Sequence, residues 1–374
     1  MKIALIHDHL NQFGGAERVL LNMRAIWPQS PIYTLIYDEK KMGKWFKDSQ
    51  IIESFIKKLP ASRKHFKWYL PLMPAAFEQF NLSQYDVVLS SVSGLAKSVI
   101  VNPEALHICY CHTPTRYLWS DTHSYTEELH QPWLVKKLLP PLLTYLRMCD
   151  YNAAQRVDIF LANSQFVARR IKKYYRREAQ VLYPPVETSQ FSISKEIDKY
   201  FLIVSRLRPY KRVDIAVRAF NKLGLPLKII GVGEEAERLR KLAKPNIEFL
   251  GAVSDELRNK YYARARAFIN PQEEDFGITA VEAMAAGRPV IAYRSGGAVE
   301  SIVDEITGTF FEEQSWEALA DAVIRFDEKQ FDPQVIRAHA QKFDSQQFRI
   351  SLQNIVEKEW EKFYNYSRGY ENRN

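Results

Sequence analysis

The chain has 374 residues, 46% of them hydrophobic and 26% charged, a composition that supports packed cores and excludes disorder as its main state. Its 52 Lys and Arg against 44 Asp and Glu leave a formal charge of +8, which fits an anionic partner: a nucleic acid, a phosphorylated sugar or an anionic membrane face. Three cysteines, Cys109, Cys111 and Cys149, exclude a disulfide-built scaffold, and no stretch reaches the roughly 18 apolar residues of a membrane span.

Lys2–Ile6 reads as a first strand, too short to be the apolar core of a signal peptide, and it runs into His-Asp-His. Gly14-Gly15 then opens a helix carrying Val19, Leu20 and Met23. Strands are expected at Ile32–Ile36, Val87–Ser90, Leu106–Cys109 and Ile159–Ala162, and Ser164 is a natural N-cap for a helix over Gln165–Tyr175. At Tyr183-Pro184-Pro185-Val186 the pattern stops, because two prolines force extended backbone; this marks the interdomain linker. The series restarts with strand Tyr200–Val204, helix Val213–Leu223, strand Leu227–Ile230, helix Glu234–Leu242, strand Ile247–Leu250 and helix Asp255–Ala263. Strand Ala267–Asn270, helix Val281–Ala286 and strand Pro289–Tyr293 complete it, and Ser345–Tyr364 has helical spacing before a charged tail, Ser367–Asn374, expected to fray. Alternating strands and helices of this kind make α/β domains. The reading is two Rossmann-like, doubly wound domains, 1–186 and 187–344, facing an interdomain cleft, with a final helical segment at 345–374.

Four segments carry possible chemistry. In NPQEEDFGITAVEAMAAGRPVI, Asn270–Ile291, a strand gives way to an acidic loop and a small-residue helix. Gly277 there lets backbone N–H groups approach an anion closely. Glu274 and Glu282, eight residues apart, suit paired sugar hydroxyls, since each carboxylate oxygen accepts hydrogen bonds. The bland alternative makes Glu274 a helix-start charge and Glu282 a solvated helix residue, but the apolar neighbours of Glu282 argue against the second. In VSRLRPYKRVD, Val204–Asp214, Arg206 and Lys211 lie where phosphates settle at the carboxyl end of a strand, with Arg208 and Arg212 as bystanders. Gly14-Gly15 permits close approach of a ligand or serves a tight turn. In YCHTPTRYLW, Tyr110–Trp119, His112 follows an apolar strand and Arg116 is a second polar candidate; a zinc site with Cys109 and Cys111 lacks a second ligand pair. The sequence Gly231–Ala236 matches a dinucleotide fingerprint, yet follows the second strand of its domain and no acidic residue ends a strand about 20 residues later.

Together these segments resemble the retaining glycosyltransferases of family 4, whose fold is the two-domain GT-B type. The resemblance runs from FGGAER to the last helix, and is most specific at E-D-F-G-I-x-x-x-E-A-M-A-x-G-x-P-V-I. It implies that Glu274 contacts the donor-sugar hydroxyls, Glu282 the ribose, and the backbone of Phe276, Gly277 and Ile278 the sugar and phosphates. It places Arg206 and Lys211 on the diphosphate, Gly14 and Gly15 near the leaving phosphate, His112 near the reacting sugar, and Val253 in a loop that reads the base. It also implies that the terminal helix crosses back to the N-terminal domain, and that catalysis needs no metal or other cofactor: fixed cations and N–H dipoles take the charge of the leaving diphosphate, and no Asp-x-Asp occurs. No carboxylate in the N-terminal half is an evident nucleophile, so attack from the leaving-group face is expected. The junction reads Tyr-Pro-Pro-Val where many relatives have Pro-Asn-Gly-Val.

The CHTPTRYLW form resembles bacterial mannosyltransferases of polysaccharide and O-antigen assembly, implying a nucleotide-sugar donor, GDP-mannose, and a lipid-linked or oligosaccharide acceptor. From Phe55 to Phe77, Lys57, Lys58, Arg63, Lys64 and Lys67 interleave with Phe66, Trp68, Tyr69 and Leu70 without one acidic residue. That mixture suits either an anionic membrane surface, giving a cytoplasmic protein peripheral on the inner face of the plasma membrane, or a solvated basic face over ordinary core aromatics, since three prolines break any long amphipathic helix. A UDP-sugar enzyme, a catalytically silent sugar-nucleotide binder and an NAD oxidoreductase are the competing readings. Nucleic-acid binding finds no recognised module.

Overall fold

A computed structural model of the chain describes residues 1–122 and 133–371. It comprises two units, one of Met1–Tyr183 together with the chain from Phe348 onward, the other of Pro184–Gln347.

In the first unit seven strands form one sheet: β1 (Ile3–His7), β2 (Ile32–Thr34), β3 (Ile51–Glu53), β4 (Val87–Val92), β5 (Leu106–Cys111), β6 (Ile159–Ala162) and β7 (Ala179–Val181). Their order is β3-β2-β1-β4-β5-β6-β7 and every pairing is parallel, with Ile6 opposite Ser90 and Tyr33. A parallel sheet is covered on both faces, so its strands are apolar throughout. Along β1, Ala4 and Ile6 enter one core and Ile3 and Leu5 the other. Cys109 and Cys111 lie in the first of these cores beside Val92 and Ala162, and burial pushes the Cys109 thiol up to about 12. The chain returns to this unit through the helix Ser345–Glu371, which seats Phe348, Leu352 and Val356 in the second core and donates from Arg349 Nη1 to Asn22 Oδ1 at 3.0 Å. Spaced four apart, these three side chains share one helix face, and burying each contributes about 1.5–3 kcal/mol. The expected fray over Ser367–Asn374 falls partly outside the described residues; the helix is continuous to Glu371.

The second unit repeats the plan with β8 (Phe201–Val204), β9 (Leu227–Ile230), β10 (Ile247–Gly251), β11 (Phe268–Asn270), β12 (Val290–Tyr293) and β13 (Gly308–Phe311), in the order β10-β9-β8-β11-β12-β13 and all parallel. The alternating pattern therefore delivers two parallel sheets flanked by helices. Each sheet has one place where adjacent strands send the chain in opposite directions, β1 beside β4 and β8 beside β11. Crevices at the carboxyl ends of such strands are where open α/β sheets bind ligands. Among the described residues no helix is long and apolar enough to cross a membrane.

Candidate functional site

In the second unit the two segments singled out in the sequence leave the sheet side by side. From β8 come Ser205–Arg212, ending in a 3-10 turn at Pro209–Lys211; from β11 come Pro271–Gly277 and the helix Ile278–Ala285. Lys211 Nζ donates to Glu274 Oε1 at 2.5 Å, with the two side chains 16% and 15% exposed. Gln272 Nε2 donates to the same Oε1 at 2.6 Å and to Asn270 Oδ1 at 2.9 Å. Asn270 and Gln272 are buried, and Asn270 Nδ2 and Gln272 Oε1 have no hydrogen-bond partner. Arg206 is exposed, Arg208 is paired with Glu234 at 2.5 Å, and Arg212 reaches Asp214 and Gln314 Oε1 at 3.3 and 3.0 Å.

Gly277 precedes the helix Ile278–Ala285 with φ +93°, a left-handed conformation natural to glycine, and no side chain caps the helix start. The N–H groups of Ala280 and Val281 bond back to Gly277 O at 3.0 and 3.3 Å, which leaves Ile278 and Thr279 to present the N–H groups of the helix start. Phe276 is buried against Phe343, ring centroids 5.3 Å apart, while Ile278 is half-buried. The loop is braced from β12: Gly297 N–H donates to Glu274 O at 2.7 Å, and Ser295 Oγ donates to Glu273 Oε2 at 2.6 Å. A Cβ on Gly296 would lie 2.2 Å from Glu274 O. Glu282, on the helix Ile278–Ala285, is 1% exposed and accepts from the Tyr262 hydroxyl at 2.9 Å. Val253 is half-buried in the turn after β10, at the far edge of the sheet. The fingerprint-like loop after β9 braces the cationic segment, with Leu207 N bonded to Val232 O at 3.0 Å and Glu235 N to Leu207 O at 3.1 Å.

In the first unit the carboxyl ends of β1, β4 and β5 bring together groups that sequence reasoning had scattered or missed. His112 follows β5, 9% exposed, with Nε2 at 2.9 Å from Ser91 Oγ on β4. Ser91 Oγ is 3.3 Å from His7 Nδ1 at the end of β1, and His7 Nε2 is 3.6 Å from Glu17 Oε1. Glu17 lies in the first turn of the helix Gly15–Ile26, whose start at half-buried Gly14 and exposed Gly15 also lacks a side-chain cap. Burial, followed by the neighbouring His7, lowers the His112 imidazole to about 4. Burial alone would raise the Glu17 carboxyl, but the imidazoles of His7, 3.6 Å away, and His9 bring it below its ordinary value. Asp8 accepts from the backbone N–H groups of Ser93, Gly94 and Ala96 at 2.7, 2.8 and 2.8 Å, shaping the turn after β4. Nearby, fully buried Asp150 pairs with Lys97 and accepts from Thr115 Oγ1, Trp119 Nε1 and the Tyr175 hydroxyl at 3.0, 2.7 and 2.8 Å, which anchors the segment following His112. Arg116 faces Asp121 at 3.9 Å. The one sequence sign of His7 was its place in His-Asp-His at a strand end; Glu17 and Ser91 carried none beyond their proximity to Gly14-Gly15 and to β4. Among the described residues no group of three His, Cys, Asp or Glu side chains is placed to hold a metal ion.

Two family models match the chain: Glycosyltransferase Family 4 over residues 13–190 and Glycosyl transferases group 1 over residues 186–343. The alpha-1,3/1,6-mannosyltransferase ALG2 of Dictyostelium discoideum is 24% identical, across 82% of this chain and 85% of that protein. The human GDP-Man:Man(3)GlcNAc(2)-PP-Dol alpha-1,2-mannosyltransferase is also 24% identical, across 96% of this chain and 87% of that one. Among solved structures, Anabaena Alr3699/HepE in complex with UDP and glucose superposes with a TM-score of 0.73 at 17% identity, over 96% of this chain and 99% of that chain.

Proposed function

Because this chain belongs to glycosyltransferase family 4 and is a glycosyltransferase of the GT-B fold, we propose that it transfers a mannosyl group from GDP-mannose to a lipid-linked acceptor, retaining the anomeric configuration and needing no metal. The observation that carries this reading is the contact of Lys211 with Glu274 at the β8–β11 switch point, beside an uncapped helix start. A cation and open N–H groups meet a diphosphate there, while a carboxylate one hydrogen bond away accepts from sugar hydroxyls. Arg206, exposed at the mouth of the same loop, supplies a second cation.

In this reaction the bond from the sugar's anomeric carbon to the diphosphate oxygen breaks with its electron pair leaving on the phosphate. The acceptor hydroxyl forms the new bond on the same face, and its proton passes to the departing phosphate. Lys211, Arg206 and the helix N–H groups stabilise the charge that builds on the leaving group, which replaces the role a metal plays elsewhere. On the family resemblance, Gly14 and Gly15 are assigned to the leaving phosphate, His112 to the sugar, Val253 to the base and Glu282 to the ribose. Both curated relatives are mannosyltransferases by name, one naming GDP-Man as donor and a PP-Dol-linked acceptor, which supports the choice of donor and of a lipid carrier. A lipid acceptor brings the protein to a membrane. Lys57, Lys58, Arg63, Lys64 and Lys67 are exposed together with Trp68 and Leu72, which supports peripheral docking through residues 55–77.

Thermal unfolding of the purified protein with GDP, UDP, ADP, NAD and the corresponding nucleotide sugars, without divalent metal, tests the reading. Selective stabilisation by GDP and GDP-mannose, lost in Lys211→Ala, is expected, with radiolabelled mannose then appearing in a lipid-extractable product. Stabilisation by UDP-sugars alone would move the donor; stabilisation without any turnover would make the protein a silent binder.

A further inference from the structure

Glu17, His7, Ser91 and His112 come from four different elements, a helix start and three strand ends, yet form one buried polar chain. All four are at most 9% exposed. Proton counting along it has one answer when His7 is neutral. A carboxylate only accepts, so His7 turns a protonated Nε2 to Glu17 and keeps its Nδ1 as an acceptor. Ser91 has a single hydroxyl proton and must give it to His7 Nδ1. Its oxygen can then only accept from His112, whose Nε2 therefore carries the ring proton.

We infer that Glu17, His7 and Ser91 are positioning residues that hold His112 as the Nε2–H tautomer, leaving Nδ1 as a bare acceptor for a hydroxyl of the substrate. This rests on the proposed function, which gives His112 a role beside the reacting sugar. None of the described hydrogen bonds of His112 uses Nδ1, and its backbone N–H is committed to Val92 O at 2.8 Å. The Tyr110 ring, edge-on at a centroid distance of 5.1 Å, limits rotation of the imidazole.

The same chain has a second state. If His7 takes a second proton, it donates through Nδ1 to Ser91, the hydroxyl turns towards His112 Nε2, and the His112 proton belongs on Nδ1. His112 changes from acceptor to donor without changing charge. The groups facing His7 and His112 are Glu17 on the helix, Asp8 and His9 on the turn after β1, and Ser91 on β4; Lys67 bears on His9. Of these, Glu17 holds His7 in place, and Asp8 is taken up by three backbone N–H groups.

The test is nitrogen-detected tautomer assignment on the full chain labelled with 15N-histidine at pH 8, with His112 identified from its missing signals in His112→Asn. Wild type should show a protonated Nε2 and an unprotonated Nδ1, and Ser91→Thr, which keeps the hydroxyl, should match it. Glu17→Gln and Ser91→Ala should move both nitrogens towards a tautomer mixture. In these two variants kcat should fall on the order of 10–100-fold while KM for the donor and the GDP-induced melting shift persist, as for other groups that fix a histidine tautomer from behind. An Nδ1–H tautomer in wild type, or identical His112 spectra across the set, overturns the inference. A normal wild-type spectrum with no response to any nucleotide would instead sink the donor reading and leave the proton chain intact.

Discussion

Asp150→Asn is the most direct perturbation of the scaffold behind His112. Asp150 sits inside the helix Trp133–Gln155 at 0% exposure and its two oxygens take four donors, among them the Lys97 ammonium, itself 1% exposed. Although burial pulls the other way, the Asp150 charge holds Lys97 above its ordinary value, so the Lys97 ammonium stays charged in the folded state. The amide keeps the shape but loses the charge and presents an NH2 where an oxygen accepted two hydrogen bonds. Lys97 retains Gly94 O, at 2.9 Å, as a neutral partner. Removing one member of a buried pair costs about 3–5 kcal/mol. For a unit of roughly 200 residues that lowers the melting temperature by about 6–20 °C. Lys97→Met should cost less, because the carboxylate keeps three donors. Differential scanning calorimetry of both variants decides it. A loss below about 1 kcal/mol for Asp150→Asn, or a greater loss for Lys97→Met, would refute the account of Asp150 as the anchor.

Neutralising Lys57, Lys58, Arg63, Lys64 and Lys67 together should reduce co-sedimentation with anionic vesicles at least hundredfold, at about 1 kcal/mol per cation; unchanged binding sinks the docking proposal. Stability should fall as the medium becomes acid. His107 and His112 have folded values of about 3 and about 4, below the ordinary 6.5, so the unfolded chain takes up protons first from pH 6.5 downwards. Each then removes about 2–3 kcal/mol between pH 7 and 4.5, measurable in urea titrations at the two pH values; equal midpoints would contradict the burial of both rings. Gly296→Ala should destabilise the second unit by at least about 2 kcal/mol, since φ is +64° and the new Cβ meets Glu274 O, and should weaken GDP binding in the same titration. A variant with native stability and affinity would show that the loop tolerates the displacement.

The parallel sheets were legible because buried parallel strands are short apolar runs and the intervening helices carry a period of 3.6. Three edge strands were missed: β3 and β7 have three residues each, half-buried, and β13 has four, patterns too brief to stand out. The helix Trp133–Gln155 went unread because Pro140 and Pro141 lie inside it, where local rules put a break; there the packing of Leu143, Leu146 and Ala154 in the core outweighs propensity. At the site, the loops could be read because glycines and charges cluster in short spans. What could not be read is what depends on side-chain contacts: Ser91 acquires meaning only beside His7 and His112, and Gln272 only through the amide that donates both to Asn270 and to Glu274.

The Lys211–Glu274 pair carries one more consequence for the proposed donor site. Without a donor, the cation meant for the diphosphate and the carboxylate meant for the sugar neutralise each other, with Gln272 steadying the carboxylate. A diphosphate entering the site competes with Glu274 for Lys211, and a sugar hydroxyl compensates Glu274 for what it gives up. GDP alone bears that competition without the compensation. Glu274→Gln removes the competitor, so it should tighten GDP by about 2–5-fold, the worth of a partly exposed ion pair of up to about 1 kcal/mol. GDP-mannose should not gain, because the glutamine is a poorer acceptor for its hydroxyls, and turnover should drop. Isothermal titration with both ligands separates the cases. If GDP weakens in Glu274→Gln, the carboxylate is not competing for Lys211, and the sugar and phosphate ends of the site act independently.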